Sequence, residues 1–257
     1  MRNKKTIQFN TLFVGKELHS FSSLSSTNTY TTELLSKSNP PEGTVILTYN
    51  QTAGRGQIGS KWESAPDKNV SMSVILHPKF LAAREQFNLN ATVSLAIFDV
   101  VSQYVDNVKV KWPNDIYIGK KKVAGILIQN TLTGKNIQSA VVGIGLNVNQ
   151  TAFTSDAPNP TSLKMETGEE IDLDTMVQEI ATALEKRYLQ LKSGKAKDIR
   201  RAYIMHLYRF GKPFTFQRQD ETYFTGIITG ISNLGKLVID TETGEEEFGL
   251  KEVRFCR

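Results

Sequence analysis

Cysteine is almost missing from this chain: of 257 residues one is cysteine, Cys256, beside the C-terminal arginine. An intramolecular disulfide framework is thereby excluded, because it needs cysteines in pairs. Histidine is nearly as scarce. His19, His77 and His206 lie far apart and show no metal-ligand spacing, so no structural metal is expected. No apolar run approaches the roughly 18 residues of a membrane-spanning helix. The N-terminal MRNKKTIQFNTLFV has neither a sustained apolar core nor a small-residue cleavage site, so export is not expected and a cytoplasmic setting is. Glycine and proline number 18 and 8, too few for a low-complexity chain. What remains is an ordinary globular composition, 39% hydrophobic and 22% charged, with length for one large domain and a small one.

Charge is modest in sum and segmental in placement. Lys and Arg number 31 against 26 Asp and Glu, a net charge of +5. Between Glu185 and Lys212 there are nine basic residues and two acids, whereas Asp240 to Glu247 holds five acids and no base. A basic helical stretch is ordinarily a solvated face; the competing reading is a docking surface, and a nucleic-acid binder would show steeply salt-dependent binding.

Hydrophobic periodicity gives the elements. Thr27–Lys37 follows a Ser-rich stretch, with Thr27 and Asn28 at the cap, and reads as a helix start. Thr44–Tyr49 and Asn69–His77 read as strands, separated by a glycine-rich loop at Ala53–Gly59. Phe87, Ala91, Leu95, Phe98, Val101 and Val105 recur at helical spacing. Val108–Trp112, Asp115–Ile118 and Val123–Gln129 read as hairpin strands, and Ile137–Asn149 as a long strand whose Gly143 and Gly145 signal a bulge or a close approach to ligand. A loop at Thr151–Pro160 precedes a helix with the stripe Leu173, Met176, Val177, Ile180, Leu184, Tyr188 and Leu191, then a helix over Lys197–Tyr208. Beyond Gly211, four short β-rich pieces (Pro213–Gln217, Tyr223–Ile231, Lys236–Ile239, Glu247–Phe255) predict a small barrel.

Three clusters carry chemistry. In QTAGRGQIGSKW (Gln51–Trp62), glycines free the backbone to wrap a ligand, while N–H groups with Arg55 and Lys61 suit an anion. It is neither a P-loop nor a dinucleotide fingerprint, lacking the GlyLysSer/Thr ending and the following helix; a flexible basic hairpin is the plain alternative. KWPND (Lys111–Asp115) comes off a strand, and KKKVAGIL (Lys120–Leu127) follows it. Asp115 lies within a hairpin's reach of Lys122, which is equally consistent with a surface ion pair of little worth.

Taken in order, SSTN (Ser25–Asn28), GRGQIGSKW (Gly54–Trp62), KWPND, KVAGIL (Lys122–Leu127) and GIGLNVN (Gly143–Asn149) resemble the catalytic domain of biotin–protein ligases. The resemblance runs from about Ser20 to Leu191, and the β-rich end is similar to that family's SH3-like C-terminal domain. It implies an α+β fold: a mixed β-sheet flanked by helices, class II synthetase-like, over residues 1–208, and a small SH3-like β-barrel over 209–257. The implied reaction is ATP-dependent attachment of biotin, through biotinyl-5′-AMP, to a lysine of the biotin carrier domain of acyl-CoA carboxylases, with Mg2+. A lipoate or octanoate transferase is the nearest rival, without KWPND and GRG together.

By the same resemblance, biotin would be held by Ser26, Thr27, Asn28, Gln51, Gly54, Arg55, Gly56, Gln57, Lys122 and Gly125. The adenylate would be held by Arg55, Trp62, Asn114, Lys122 and Asn147, and Lys122, Asp115 and Arg55 would serve catalysis. Two positions depart from the best-known bacterial pattern: Gln57 stands where Arg continues GlyArgGly, and Ser60 where a later Arg often appears. The 25 residues before Ser26 are too few for the helix-turn-helix domain of the family's regulatory branch, so DNA binding is not expected. The resemblance is compatible with a homodimer, and no membrane partner is expected.

Overall fold

The computed structural model describes residues 7–57, 59–154 and 159–256. Strands β1 (Leu18–Phe21) and β2 (Val45–Thr48) enclose helix α1 (Thr27–Lys37); a short hairpin of β3 (Gly54–Arg55) and β4 (Lys61–Trp62) then precedes β5 (Asn69–Leu76). Helix α2 (Gln86–Val101) leads into β6 (Val108–Lys111), β7 (Asp115–Ile118), β8 (Lys121–Thr133) and β9 (Asn136–Asn147). Helices α3 (Leu163–Thr167), α4 (Leu173–Lys192) and α5 (Ala196–Met205) follow. The chain ends in β10 (Pro213–Arg218), β11 (Tyr223–Ile231), β12 (Leu237–Thr241), β13 (Gly244–Phe248) and β14 (Val253–Phe255).

Seven strands form one mixed sheet in the order β1-β2-β5-β9-β8-β7-β6, with β1 parallel to β2 and the other pairs antiparallel. Strand parity separates its faces. Val70, Met72 and Val74 of β5, with Val142, Ile144 and Leu146 of β9 and Ala124 and Ile126 of β8, enter the apolar core. Helix α2 lies against that face and is covered by α4 and α5, so it is buried nearly all round, Asn88, Thr92 and Ser94 included. The full stripe expected from the sequence on α4, Leu173 through Leu191, is buried there. Asp172 caps α4 by accepting from the Thr175 N–H at 2.8 Å. The opposite face carries Ser71, Ser73, Gly143, Gly145 and Gly125, and α1 packs mainly on its β2-β5-β9 side.

The terminal strands form an antiparallel sheet in the order β13-β12-β11-β10-β14, cored by Phe216 among Phe214, Phe224 and Phe255. This sheet is tied to the large one. The Trp112 Nε1–H donates to Gly235 O at 2.9 Å, and Arg200 reaches the carbonyls of Ile231 and Ser232.

Several expected boundaries shift. The Ser-rich approach to α1 contains β1, hidden from pattern reading because its side chains are only half-buried or exposed. Helix α2 ends at Val101, and Val105 packs on the core from beyond it. Helix α5 stops at Met205 because the next residues turn to cover the sheet edge: Val110 N–H donates to His206 O at 2.9 Å and Tyr208 N–H to Val110 O at 2.8 Å. Glu247–Phe255 divides into β13 and β14 at a turn where Lys251 adopts φ +64°. Part of the Thr151–Pro160 loop, residues 155–158, lies outside the described residues. Among the described residues no helix is long and apolar enough to cross a membrane.

Candidate active site

The open face of the sheet is floored by glycine. Register aligns Ser71, Gly145, Gly125 and Asp115 across β5, β9, β8 and β7, and Ser73, Gly143 and Leu127 in the neighbouring row. Side chains at the glycines would fill the space above them. A Cβ on Gly143 would run into the Asn28 amide, one on Gly145 into the Trp62 indole, and one on Gly125 would stand 3.2 Å from Trp62 and 3.4 Å from Lys122 Nζ. The sequence marked Gly143 and Gly145; their reason is close approach rather than a bulge.

The helix end of this floor is a buried polar cluster. Ser26 caps α1, its Oγ accepting from Thr29 N–H at 3.4 Å. Gln51 Oε1 accepts from the Thr27 backbone N–H at 2.9 Å and from Thr27 Oγ1 at 3.3 Å. Asn28 Nδ2 donates to Leu127 O and Gln129 Oε1, and its Oδ1 accepts from Ser73 Oγ at 2.6 Å. Each side chain is fixed by its neighbours while hydroxyl and amide groups keep spare capacity for a ligand. Ser73, which the sequence reading missed, belongs to this cluster. Its signal was the alternation of hydroxyls in NVSMSVIL, small polar groups at period two in an apolar strand.

The other end is charged. Lys122 and Gly125 are three apart, an odd separation that would place them on opposite faces of a regular strand. A register shift lets Tyr117 pair with Lys122 but Ile116 with Ala124, leaving Val123 as the extra residue, and the bulge swings Lys122 to the glycine side. Its Nζ meets Asp115 Oδ1 at 2.7 Å and lies 5.8 Å from the Trp62 ring centre. The pair is about one-quarter exposed on each side, so it is not a fully solvated surface pair. Behind it, burial lowers the Lys111 ammonium pKa against the opposing pull of Asp115, and burial with the Asp115 charge raises the Tyr117 phenol.

KWPND is clamped from two directions. Its Trp112–Pro113 peptide is cis, Tyr203 donates to Pro113 O at 2.8 Å, and Asn114 exchanges bonds with Ile126, its side chain reaching Ile126 O and its own carbonyl accepting from Ile126 N–H at 3.1 Å. Opposite stands the glycine-rich segment, paired at Gly54–Trp62 and Arg55–Lys61. Trp62 lies on the Gly145–Gly125 floor. A cavity of about 180 Å3 remains, below the ~300 Å3 at which ligand pockets usually begin.

That cavity gathers Ser26, Thr27, Asn28 and Gln51 from the polar end, Asn114, Asp115, Lys122 and Gly125 from the charged end, and Arg55, Gly56, Gln57 and Trp62 from the segment above. Two expected residues do not line it. Gly54 packs behind, against the Trp62 backbone and Gln51 amide. Asn147 turns its Nδ2 to Thr161 O at 2.9 Å. Three buried polar atoms here have no partner in the structure: Trp62 Nε1, Ser71 Oγ and Asn147 Oδ1. Such groups cost free energy unless a ligand or water satisfies them.

The comparisons with known proteins agree with this geometry. Residues 20–147 match the biotin/lipoate A/B protein ligase family and residues 210–249 the biotin protein ligase C-terminal domain. The chain is 32% identical over 82% of its length to the bifunctional ligase/repressor BirA of Bacillus spizizenii, and spans 65% of that protein. It is 30% identical to the biotin–[acetyl-CoA-carboxylase] ligase of Paracoccus denitrificans, covering 82% of this chain and 89% of that one. Among solved structures, the biotin protein ligase from Aquifex aeolicus in complex with biotin and ATP superposes with a TM-score of 0.77 at 26% identity, over 94% of this chain and all of that one. A glycine-floored sheet face joining a neutral polar slot to a lysine–aspartate pair, these motif positions and these relatives together make the chain a member of the biotin/lipoate A/B protein ligase family, on its biotin protein ligase branch.

Proposed function

We propose that this site activates biotin with ATP and transfers it to a lysine of a biotin carrier domain. One observation carries the reading: neutral hydrogen-bonding groups and a cation stand at opposite ends of the same bare floor, about two inter-strand spacings or ~10 Å apart. Biotin has that polarity, a neutral ureido ring at one end and a carboxylate at the other. The Aquifex structure holds biotin and ATP, and the Paracoccus relative is named for acetyl-CoA carboxylase, which supports a carboxylase carrier as acceptor.

In the first step a biotin carboxylate oxygen attacks the α-phosphorus of ATP, the bond to the bridging oxygen breaks, and pyrophosphate leaves. Two anions must meet for this. Lys122, with the Arg55 side chain and the N–H groups of the glycine segment, offsets their repulsion. In the second step the carrier amine attacks the acyl carbon and AMP departs with the electron pair of the anhydride bond. Asp115, ion-paired to Lys122, is assigned the proton that the amine loses. Magnesium is assigned to the ATP phosphates, as part of the substrate. Trp62 and Asn147 are assigned to the nucleotide: Asn147 Oδ1 is an unspent acceptor and the indole a stacking surface. We assign this chemistry to residues 1–208 and the support of Trp112 to residues 209–257, in a cytoplasmic setting where carriers are made.

Incubation of the purified protein with labelled biotin, MgATP and a biotin carrier domain tests the reading. Acid-stable label on the carrier, lost when its acceptor lysine becomes arginine or ATP is omitted, is the expected result. Transfer of octanoate or lipoate in place of biotin would overturn it.

A further inference from the structure

Lys122 is held on one side by β7, but on the other it has left β9, whose pairing with β8 begins at Ala124. The vacated edge is taken by the segment just before α3. Lys122 N–H donates to Asn159 O at 2.8 Å and Thr161 N–H donates to Lys122 O at 2.9 Å, so Pro160 stands opposite Lys122 as one rung of a parallel ladder. Thr161 is fully buried and binds in two further directions. Its carbonyl accepts from Asn147 Nδ2 at 2.9 Å, and its hydroxyl donates to Glu166 Oε1 at 2.5 Å. Glu166 also takes Lys121 Nζ at 2.9 Å, and Lys121 is the residue beside Lys122, which closes a ring from strand to segment to helix and back.

We propose that Thr161 is a positioning residue for the adenylation step, holding the Lys122 main chain and the Asn147 amide in one fixed relation through its hydroxyl's anchor on Glu166 and Lys121. The inference rests on the function assigned above. It follows from the bulge that brings Lys122 to the glycine floor: a bulged residue loses part of its ladder, and without a second support its side chain would sweep several positions. Thr161 supplies that support and, by taking the Nδ2 of Asn147, leaves the Oδ1 of the same amide without a partner. The hydroxyl is given no contact with substrate; it acts through the two groups assigned to substrate above. The Glu166 carboxyl responds to the same contacts: burial raises its pKa, but the bonds from Thr161 and Lys121 outweigh this and hold it below the ordinary carboxylate value.

The test is biotin-dependent exchange of labelled pyrophosphate into ATP by the full chain and its variants Thr161→Val, Thr161→Ser and Lys121→Met. Thr161→Val keeps both main-chain bonds and removes only the hydroxyl. It should lower kcat about tenfold or more, since small displacements of a catalytic group are costly, while the KM for biotin stays within about twofold. Thr161→Ser should recover the loss, and Lys121→Met should show a smaller loss of the same pattern. Wild-type rates in Thr161→Val, or equal damage in the valine and serine variants, would overturn the inference; so would a parallel rise in the KM for biotin, which marks general loosening. If the wild-type protein shows no biotin-dependent exchange, the assigned function itself fails, and this inference with it.

Discussion

The two ends of the glycine floor are built differently. At the polar end, Thr27, Asn28, Gln51 and Ser73 are buried and mutually bonded, and none leaves a buried side-chain polar atom without a partner. Elsewhere on the floor, Trp62, Ser71 and Asn147 each leave one unpaired, and the indole covers the glycines on which a ligand would lie. The difference is thermodynamic. A slot whose side chains lock one another has already lost its conformational entropy in folding and binds without further ordering. An end with unspent hydrogen bonds and a short glycine hairpin across it regains those bonds only with a ligand in place. The polar half is therefore read as preformed for biotin, and the nucleotide half as completed on binding.

The severest way to break the charged half is Lys122→Ala. Removing one charge-stabilising donor is expected to slow adenylation about 10²–10³-fold in pyrophosphate exchange, with the thermal midpoint little changed. Lys120→Ala, exposed beside it, is the control; Lys121 is not, because it is paired to Glu166. An unimpaired Lys122→Ala would remove the cation from the account.

Paired alanine substitutions sharpen the comparison further. Gly143→Ala pushes on the Asn28 amide and Gly145→Ala on the Trp62 indole. The first should raise the KM for biotin about tenfold or more, since a mispaired buried polar group costs about 1–3 kcal/mol. The second should leave the KM for biotin nearly unchanged and act on that for ATP. Identical profiles for the two would erase the distinction between the ends. The gentlest perturbation is Gln57→Arg in the hairpin segment. A charged contact to the acyl phosphate, roughly twice as strong as a neutral one, should lower the ratio of free adenylate hydrolysed to carrier modified. If that ratio is unaffected and Lys61→Ala raises it, the retaining role belongs to Lys61.

Much of this was legible in the sequence, for reasons that differ by residue. Helix α1 begins at Thr27 as expected, though its cap is Ser26 and not Thr27 or Asn28, and the α4 stripe is buried in full, because amphipathic spacing reports burial directly. The glycines of GIGLNVN signalled a bulge or a close approach, and side chains packed over them decide for the second. Thr161 carried no such signal: its role comes from which segments become neighbours, and hydrogen-bond partners 39 residues apart, as Lys122 and Thr161 are, leave no local pattern. The charge segments were legible only as charge. In the fold, Glu185 accepts from the backbone N–H groups of Leu12, Phe13 and Val14, Arg187 grips Asp99, and Glu246 pairs with Arg218, whose bonds hold its carboxyl down to about 2. Part of each segment is thus spent inside the molecule, as the plain reading of a helical face allows and a wholly free docking patch does not.

Calorimetry on the unliganded protein tests the asymmetry most directly. Biotin is titrated alone, and a non-hydrolysable ATP analogue is titrated with and without saturating biotin. The account predicts that biotin binds by itself, and that the analogue binds about tenfold or more tightly once biotin is present, a coupling of about 1.4 kcal/mol or greater. An analogue that binds equally well without biotin, or biotin that binds only after the nucleotide, would contradict it.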